Sequence, residues 1–257
     1  MRIRLIETDH PDDPHLNLAM DEAIFMEVMR GNSPPTFRFY RNNNAVILGC
    51  FQLAEQEVNM DYAIRNDVKI AKRFTGGGAV YHDMGNINYS IISRDTFDIG
   101  TNVQRLFAVM MKGAVASMRG LGIDAAAGGL NDVSVNGKKI LGSAATIRSG
   151  TILFHAAILV DTNLEGLASV LKVPSAKLNP HGASTILDRV TNVNAVSGKN
   201  VEDVKRAILD GYSGELGFEY HVGKLTIQEE HLLKRLHKEK YLKSEWNLGR
   251  EFINIHY

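Results

Sequence analysis

Three consecutive glycines, Gly76, Gly77 and Gly78, lie between two β-rich runs, and this arrangement restricts the folds that the chain can adopt. Strands are predicted on both sides of this glycine turn, at 68–74 and 79–82. A dinucleotide-binding glycine motif opens a helix, and a P-loop continues into Gly-Lys-Ser/Thr, so the sequence matches neither. Three residues without a Cβ expose backbone amides that can contact phosphate or carboxylate oxygens. Taken alone, the pattern is more typical of a flexible hairpin turn.

The order of the other predicted elements favours an α+β fold with mixed β-sheets flanked by helices. Helical patterns occur at 14–30, 55–65, 103–120, 164–171, 201–216 and 227–242. Further β-rich runs occur at 36–41, 45–50, 87–93, 132–135, 139–147 and 152–160. These elements intermix without a strict βαβ rhythm, which argues against a doubly wound parallel sheet. The basic run at 231–243 is expected to form a solvated helix face.

Charge and cysteine content exclude several classes of function. The 29 basic and 29 acidic side chains give a formal net charge of zero, so no nucleic-acid partner is expected. Cys50 is the only cysteine, which excludes an internal disulfide or a thiolate metal cluster and suits a reducing compartment. No signal-peptide pattern is present, and no run approaches the roughly 18 apolar residues that span a bilayer. We therefore expect a cytoplasmic protein without a membrane partner.

A second constellation is centred on Asn136 and Gly137, which stand between two β-rich flanks. Asn-Gly is typical of a two-residue hairpin turn. That turn predicts four cross-strand pairs: Val135 with Lys138, Ser134 with Lys139, Val133 with Ile140, and Asp132 with Leu141. In this register Lys139 shares a face with Asp132, where the two side chains can bind a common ligand, and Lys138 lies on the other face. An ordinary cross-strand ion pair explains the two residues equally well.

One histidine follows the glycine turn on the predicted strand at 79–82. His82 alternates with Val80 and therefore faces the same side of that strand. A lone histidine in such a setting is more often structural than catalytic. No second histidine stands at metal-ligand spacing, so a structural zinc site is not expected.

The two constellations, in this order, resemble the lipoate–protein ligase family, which is related in fold to biotin protein ligases and octanoyltransferases. Residues 73–83 match the family pattern Arg-x-x-Gly-Gly-Gly-x-Val-x-His-Asp without a gap. Asn131 with Asp132, the run Lys-Ile-Leu-Gly-Ser-Ala at 139–144, and His155 occupy the places of the later family motifs. The resemblance implies a single catalytic domain over 1–257, with a biotin/lipoate-ligase-like core at about 15–195 and a helical C-terminal part at about 200–257.

The resemblance also implies a two-step reaction. Lipoate and MgATP form lipoyl-adenylate and pyrophosphate, and the ε-amine of a lysine on a lipoyl domain then takes the lipoyl group and releases AMP. Both steps concentrate negative charge on oxygens that positioned cations stabilise. The implied catalytic residues are Lys139, Arg73 and Asp132, with Asp132 as the candidate Mg²⁺ ligand. The implied lipoyl- and adenylate-binding residues are Gly76, Gly77, Gly78, Val80, His82, Asp83, Asn131, Gly142, Ser143, Ala144, His155 and Ala157. His155 is equally compatible with a buried, hydrogen-bonded core position.

Two departures from the family pattern bear on partners and on the site. Full-length members usually carry an additional C-terminal domain, and the match is closer to split archaeal-type ligases, in which a small separate protein supplies it. We therefore expect no accessory C-terminal domain within 1–257 and a heteromeric partner. The implied acceptors are lipoyl domains of 2-oxoacid dehydrogenase E2 subunits and the glycine cleavage H protein. Lys72 stands where many relatives have arginine, which keeps the charge but loses the bidentate fork.

The sequence leaves other functions open. One alternative is lipoyl or octanoyl transfer, from a carrier protein or from preformed adenylate. One group of octanoyltransferases uses a cysteine shortly before the Asn-Asp motif, where residues 125–130 contain none. A second alternative is an inactive lipoyl-binding module, which the presence of Arg73, Lys139 and Asp132 disfavours. Biotin ligases carry a Gly-Arg-Gly-Arg-type loop in place of the three glycines and are also disfavoured. The sequence does not decide between lipoate and octanoate.

Overall fold

The computed structural model describes residues 1–8, 10–94, 99–172 and 185–249, and two β-sheets carry the fold of these residues. The end of the predicted helical C-terminal part, 250–257, lies outside the described residues. The strands are β1 (Arg2–Ile6), β2 (Thr36–Tyr40), β3 (Ala45–Leu48), β4 (Lys69–Lys72), β5 (Val80–His82), β6 (Asn86–Arg94), β7 (Ala125–Gly128), β8 (Asp132–Val135), β9 (Lys138–Arg148), β10 (Thr151–Leu159) and β11 (Glu219–Val222).

The two sheets are both of mixed type. The large sheet has eight strands in the order β11-β1-β2-β6-β10-β9-β8-β7, and the small sheet has three in the order β4-β3-β5. In the large sheet, β1 runs parallel to β2 and β11, whereas the pairs from β2 to β7 are antiparallel. In the small sheet, β4 is parallel and β5 antiparallel to β3. Together with the flanking helices, this confirms the predicted α+β class.

Helices begin and end close to where capping residues predict. They are α1 (Pro14–Arg30), α2 (Ala54–Glu57), α3 (Met60–Arg65), α4 (Val103–Gly120), α5 (Leu164–Val170), α6 (Val193–Ser197), α7 (Val201–Leu216), α8 (Ile227–Leu236) and α9 (Ser244–Asn247), with a π-helical turn at His237–Tyr241. The Asp13 side chain accepts from the Leu16 N–H at the start of α1, and Gly31, with φ of 82°, ends it. None of the described helices has the length and apolar composition needed to cross a membrane.

The helices cover opposite faces of the large sheet. α4 and α7 pack together on one face, over a core rich in aromatic rings: Phe37, Tyr89, Phe107, Phe154 and Tyr212. α1 packs on the other face, and α8 packs against α1. The small sheet lies on this second side, because Ile47 of β3 and Leu153 of β10 belong to the same hydrophobic cluster as α1. The inner faces of the two sheets therefore meet beside α1.

The glycine turn does not join a β-hairpin. β4 before the turn and β5 after it each pair with β3, which lies between them. The turn therefore spans the small sheet from one edge to the other, so the flexible-hairpin alternative is wrong.

The hairpin at Asn136 and Gly137 has the predicted register only near its turn. Val135 pairs with Lys138, and Ser134 with Lys139, as expected. Further out, Val133 pairs with Leu141 and Asp132 with Gly142, so the two outer predicted pairs are wrong by one residue. The extra residue is Ile140, a β-bulge that places both Ile140 and Leu141 in the hydrophobic core.

The basic run at 231–243 is only partly solvated, contrary to expectation. Lys240 is 5% exposed, and its Nζ lies 2.9 Å from both carboxylate oxygens of Glu22 on α1. Tyr241 is buried as well, and its hydroxyl donates to Glu22 at 2.5 Å. A lysine can be buried here because its charge is paired.

Candidate active site

Four adjacent strands of the large sheet place polar and small side chains in two rows. In the first row, the direct neighbours on β2, β6, β10 and β9 are Arg38, Ser90, His155 and Ala144. The second row, two residues further along each strand, consists of Tyr40, Asn88, Ala157 and Gly142. Residues two apart in a strand face the same side. Both rows therefore lie opposite the aromatic core, on the side of the small sheet.

A cavity of about 580 Å³, its open mouth included, lies between these rows and the small sheet. β3 contributes Ile47 to its wall, β5 contributes Val80 and His82, and α1 contributes Leu18. The mainly apolar wall with a few polar groups is usual for a small-molecule site. The two rows of the large sheet thus form the floor of the cavity, and the small sheet forms its roof.

Lys139 lies at the open end of the cavity. Its side chain is 37% exposed, and its Nζ lies 2.7 Å from Asp132 Oδ1. Gly142 lies beneath it, because a Cβ added there would come within 2.6 Å of the amine. Lys138, by contrast, is exposed and does not line the cavity. Lys139 and not Lys138 therefore lies on the cavity side of the hairpin.

The backbone of Lys139 is held on both sides. Its N–H donates to Arg189 O at 2.8 Å, and its C=O accepts from Thr191 N–H at 3.0 Å. The segment 189–191 thereby runs as a short parallel bridge beside β9. This bridge fixes the base of the one lysine side chain that lines the cavity among the described residues.

Arg73 is buried beneath the glycine turn and binds its backbone carbonyls. Its Nη2 donates to Gly76 O at 2.7 Å and to Gly78 O at 2.9 Å, and its Nη1 donates to Ile47 O at 3.2 Å. Burial lowers the pKa of Arg73 to about 10, which leaves the guanidinium charged at neutral pH. Gly77 has φ of +95°, and a Cβ at Gly49 would lie 2.2 Å from Gly77 O. The turn therefore packs directly on backbone and depends on glycine at both positions.

His155 joins the glycine turn to a buried acid. Its Nε2 lies 2.7 Å from Thr75 Oγ1, and its Nδ1 lies 4.0 Å from Asp21 Oδ2. Asp21 also accepts from Arg38 at 2.7 Å and from Ser90 at 2.6 Å. Burial, with a smaller effect of Arg73, lowers the pKa of His155 to about 3, so the ring is neutral. The nearby carboxylate favours the proton on Nδ1, which leaves Nε2 to accept from the Thr75 hydroxyl.

His82 is the second neutral ring of the cavity. Its Nδ1 lies 3.1 Å from Asn42 Nδ2, and the ring is 3% exposed. Burial and then the charge of Arg73 lower the pKa of His82 to about 3. The inner cavity therefore contains uncharged histidines, while Arg73 carries the only charge that faces it from the roof among the described residues.

Comparison with known proteins assigns this arrangement to a family. Residues 13–213 match the lipoyl protein ligase A/B catalytic domain. The chain belongs to this family. It is 40% identical to lipoate-protein ligase A subunit 1 of Thermoplasma acidophilum, with 96% of each chain covered, and 29% identical to an octanoyltransferase of Halalkalibacterium halodurans, with 93% and 96% covered. Lipoyl ligases and octanoyltransferases thus share the family, and its members are enzymes.

Solved structures resemble the chain over nearly its whole length. A bipartite lipoate protein ligase of T. acidophilum, studied with its E2 lipoyl domain, superposes with a TM-score of 0.89 at 39% identity, with 100% of both chains covered. A lipoate-protein ligase A bound with ATP gives 0.89 at 37% identity, covering 98% of this chain and 100% of the other. A T. acidophilum protein with bound lipoic acid gives 0.87 at 35% identity, covering 96% and 99%.

The structure brings together most of the residues that the lipoyl ligase resemblance implies. The cavity is lined by Arg73, Gly78, Val80, His82, Asn131, Lys139, Gly142, Ser143, Ala144, His155 and Ala157. Gly76, Gly77 and Asp132 lie next to it, through Arg73 and Lys139. Asp83 does not line the cavity: its carboxylate accepts from the N–H groups of Gly85 and Asn163, both at 2.8 Å. Asp83 was predicted as a binding residue, but in the structure its carboxylate stabilises the neighbouring loops instead.

Several cavity residues were not predicted from the sequence. They are Leu18, Tyr40, Ile47, Ala79, Asn88 and Ala156. Tyr40 and Asn88 are cross-strand neighbours in the second row. Their pairing joins residues 48 apart in the chain, so no local pattern indicates it.

Lys72, the departure from the family pattern, lies outside the cavity. It is 1% exposed, its Nζ donates to Gly249 O at 2.6 Å, and its C=O accepts from Trp246 Nε1 at 2.8 Å. Burial lowers the pKa of Lys72. Lys72 therefore binds the C-terminal segment, residues 237–249, and does not contact the cavity.

Proposed function

We propose that the chain activates lipoate with MgATP and transfers the lipoyl group to the ε-amine of a lysine on a lipoyl domain. The observation that carries this proposal is the position of the Lys139 amine, at the mouth of a narrow slot whose inner titratable rings are neutral. An apolar acyl chain suits the slot, and its carboxylate then lies beside the amine. The bound lipoic acid and ATP of two similar structures support the same assignment.

The chemistry requires positive charge where negative charge develops. In the first step a lipoate carboxylate oxygen attacks the α-phosphorus of ATP, and pyrophosphate leaves with the electron pair of the broken P–O bond. In the second step the acceptor amine attacks the acyl carbon, AMP leaves, and the amine loses a proton. Lys139 is placed to stabilise the carboxylate and phosphoryl oxygens in both steps. Arg73 supplies charge from the roof of the same cavity.

The nucleotide has candidate ligands around the mouth. Asn131, Gly142, Ser143 and Ala144 line that side of the cavity, and the N–H groups of the glycine turn donate to no acceptor among the described residues. Such amides can bind phosphate oxygens.

A Mg²⁺ ion fits the mouth only together with ATP. No three His, Cys, Asp or Glu side chains of the described residues form a metal site of their own. Mg²⁺ bound mainly by phosphates needs only one or two protein carboxylates, and Asp132 beside Lys139 supplies one. When bound, the ion neutralises phosphate charge.

We propose two kinds of protein partner. The acceptor is a lipoyl domain, of an E2 subunit or of the glycine cleavage H protein. The other is a small accessory subunit that takes part in adenylation. Support comes from the bipartite ligase that this chain resembles and from the designation of its relative as subunit 1.

The overall reaction is tested by supplying lipoate, MgATP and an E2 lipoyl domain to the chain, with and without the accessory subunit. Pyrophosphate release and the mass of the acceptor are followed together. We expect lipoylation that depends on ATP, with pyrophosphate formed in equal amount. Lipoylation that proceeds without ATP from an acyl carrier protein would make the chain a transferase instead.

The position of the amine predicts the effect of one substitution. Lys139→Ala should lower lipoylation at least ~100-fold, a usual cost of losing an electrostatic contact to the transition state. Lys138→Ala, one residue away but exposed, should retain activity within about twofold. An active Lys139→Ala variant beside an inactive Lys138→Ala variant would contradict the assignment.

A further inference from the structure

His82 is held in one tautomer by a chain of hydrogen bonds that begins at a buried arginine. Arg38 Nη2 donates to Asn17 Oδ1 at 2.7 Å, which identifies the oxygen of that amide because a guanidinium only donates. Asn17 Nδ2 then donates to Asn42 Oδ1 at 2.8 Å. Asn42 therefore directs its nitrogen to His82 Nδ1, at 3.1 Å. Since an amide nitrogen cannot accept, Nδ1 is the acceptor and the neutral ring carries its proton on Nε2.

The Nε2–H of His82 is a buried donor without an acceptor. The ring lines the cavity, and Nε2 has no hydrogen-bond partner among the described residues. Asn88 lines the same cavity, and its Oδ1 is likewise unpartnered within the described residues. Buried polar groups left unpaired are costly and uncommon in folded proteins. The unpaired Nε2–H of His82 therefore points to a ligand that carries a hydrogen-bond acceptor at this end of the cavity.

This end is the one remote from Lys139. Asn42, the partner of His82, follows β2, and Tyr40 of β2 lies three strands away from Gly142 in the second row. Three strand spacings amount to roughly 14 Å. Leu18, Tyr40 and Asn88 at this end are all at most 4% exposed. An acid whose carboxylate reacts beside Lys139 therefore places the far end of its acyl chain next to His82.

We infer that His82 selects acids whose tail carries a hydrogen-bond acceptor, such as the divalent sulfur of a dithiolane, over plain alkyl acids of equal chain length. The inference rests on the proposed function and deepens it, because lipoate and octanoate differ in this feature. Sulfur is only a weak acceptor, but it can accept a hydrogen bond from the Nε2–H of His82, whereas a methylene group cannot accept one. An alkyl tail leaves the donor unpaired after binding has displaced water from it.

Affinities for lipoate and octanoate, measured by calorimetry on the full chain, test the inference. The wild type should bind lipoate about fivefold more tightly than octanoate, the ratio expected when one buried donor is paired in only one complex. His82→Phe keeps an aromatic ring but no donor, and should bring the ratio close to one. Val80→Ala is the matched control: it widens the slot beside His82 and should weaken both acids by a similar factor.

The tautomer is tested separately, by long-range ¹H–¹⁵N correlation on the unliganded wild type. The proton should be on Nε2, and a proton on Nδ1 would overturn the inference even if His82→Phe fails to fold. The inference is also overturned if His82→Phe leaves the affinity ratio unchanged, which is the result expected if a water bridges His82 and Asn88. In that case the proposed function still stands as long as the wild type lipoylates its acceptor. A wild type that binds neither acid removes the proposed function and this inference together.

Discussion

Gly142 lies three residues after Lys139 on β9. Because Gly142 has no side chain, the amine of Lys139 can lie directly over it. A Cβ at Gly142 would lie 2.6 Å from Lys139 Nζ and 2.7 Å from Cε. Those atoms are the far end of a flexible side chain, so an added methyl group displaces the amine and leaves the backbone in place. The amine then moves away from Asp132 and from the mouth of the cavity.

Gly142→Ala should therefore lower the rate of lipoylation about 10- to 100-fold, as expected for a catalytic group misplaced by about an ångström. The free energy of unfolding should change by less than ~1 kcal/mol, because the clash is relieved by rotating a side chain. Steady-state kinetics and urea unfolding measure the two effects. Gly214→Ala, on α7 with open space around it, is the control: it should leave the rate unchanged and stabilise the protein by up to about 1 kcal/mol, because alanine is the better helix former. Full activity of Gly142→Ala would show that the amine does not need its position over residue 142.

At the scale of residues, the sequence predicted most of the residues that line the cavity, but only part of the strand pairing that positions them. Lys139 was distinguished from Lys138 because only the two pairs next to the Asn136–Gly137 turn matter for that choice, and turn chemistry determines them. The outer pairs were wrong because the bulge at Ile140 follows from core packing. Asp83 was misplaced because a motif does not reveal which of its residues brace a loop.

At the scale of elements, the C-terminal segment is held to α1 by buried charge. Lys240 pairs with Glu22 at 2.9 Å and lies 4.2 Å from the ring centre of Trp246, and Trp246 bonds the backbone of Lys72. The π-helical turn and α9 thus attach to β4, next to Arg73 at the cavity roof. Removing one partner of such a pair leaves a buried, uncompensated charge.

Glu22→Gln should destabilise the protein by about 3 kcal/mol, since Lys240 loses its counter-charge in a buried position. Glu239→Gln removes one partner of the exposed pair with Arg235 and should cost less than ~1 kcal/mol. Urea denaturation of both variants gives the comparison. Equal effects of the two substitutions would mean that burial of the Glu22 pair has no energetic consequence.

Elements were predictable where local signals define them. The helix at 201–216 was predicted to its ends, and α7 has a capping box at Asn200 and a left-handed Gly217. β1, β7 and β11 were not predicted, and each has only four or five residues. β1 and β11 pair with each other from opposite ends of the chain, whereas β7 is an Ala-Ala-Ala-Gly run that pairs with the nearby β8. Short strands of this kind are determined by tertiary contacts and carry little intrinsic preference.

At the scale of the whole molecule, the cavity exists only because two sheets meet. The floor comes from the register of β2, β6, β10 and β9, and the roof from β3 and β5. The sequence predicted nearly all of these strands but not their order, which depends on contacts between residues far apart in the chain. Burial between the sheets also makes His82 and His155 neutral, and this links the stability of the whole fold to pH.

Stability should fall as the pH drops below about 6.5. In the unfolded chain both histidines take up a proton near pH 6.5, whereas in the folded protein their pKa is about 3. Between these values the unfolded state binds more protons than the folded state. As the pH falls from 6.5 towards 3, the free energy of unfolding therefore decreases by about 1 kcal/mol per pH unit for each histidine. The contribution of each neutral ring to stability is present in full only above pH 6.5. Urea unfolding at pH 7.5, 6.5, 5.5 and 5.0 measures the slope. His82→Phe should reduce the slope by about 1 kcal/mol per pH unit, whereas His231→Gln, at an exposed position, should leave it unchanged. An identical slope in His82→Phe and the wild type would show that His82 is not neutral in the folded protein.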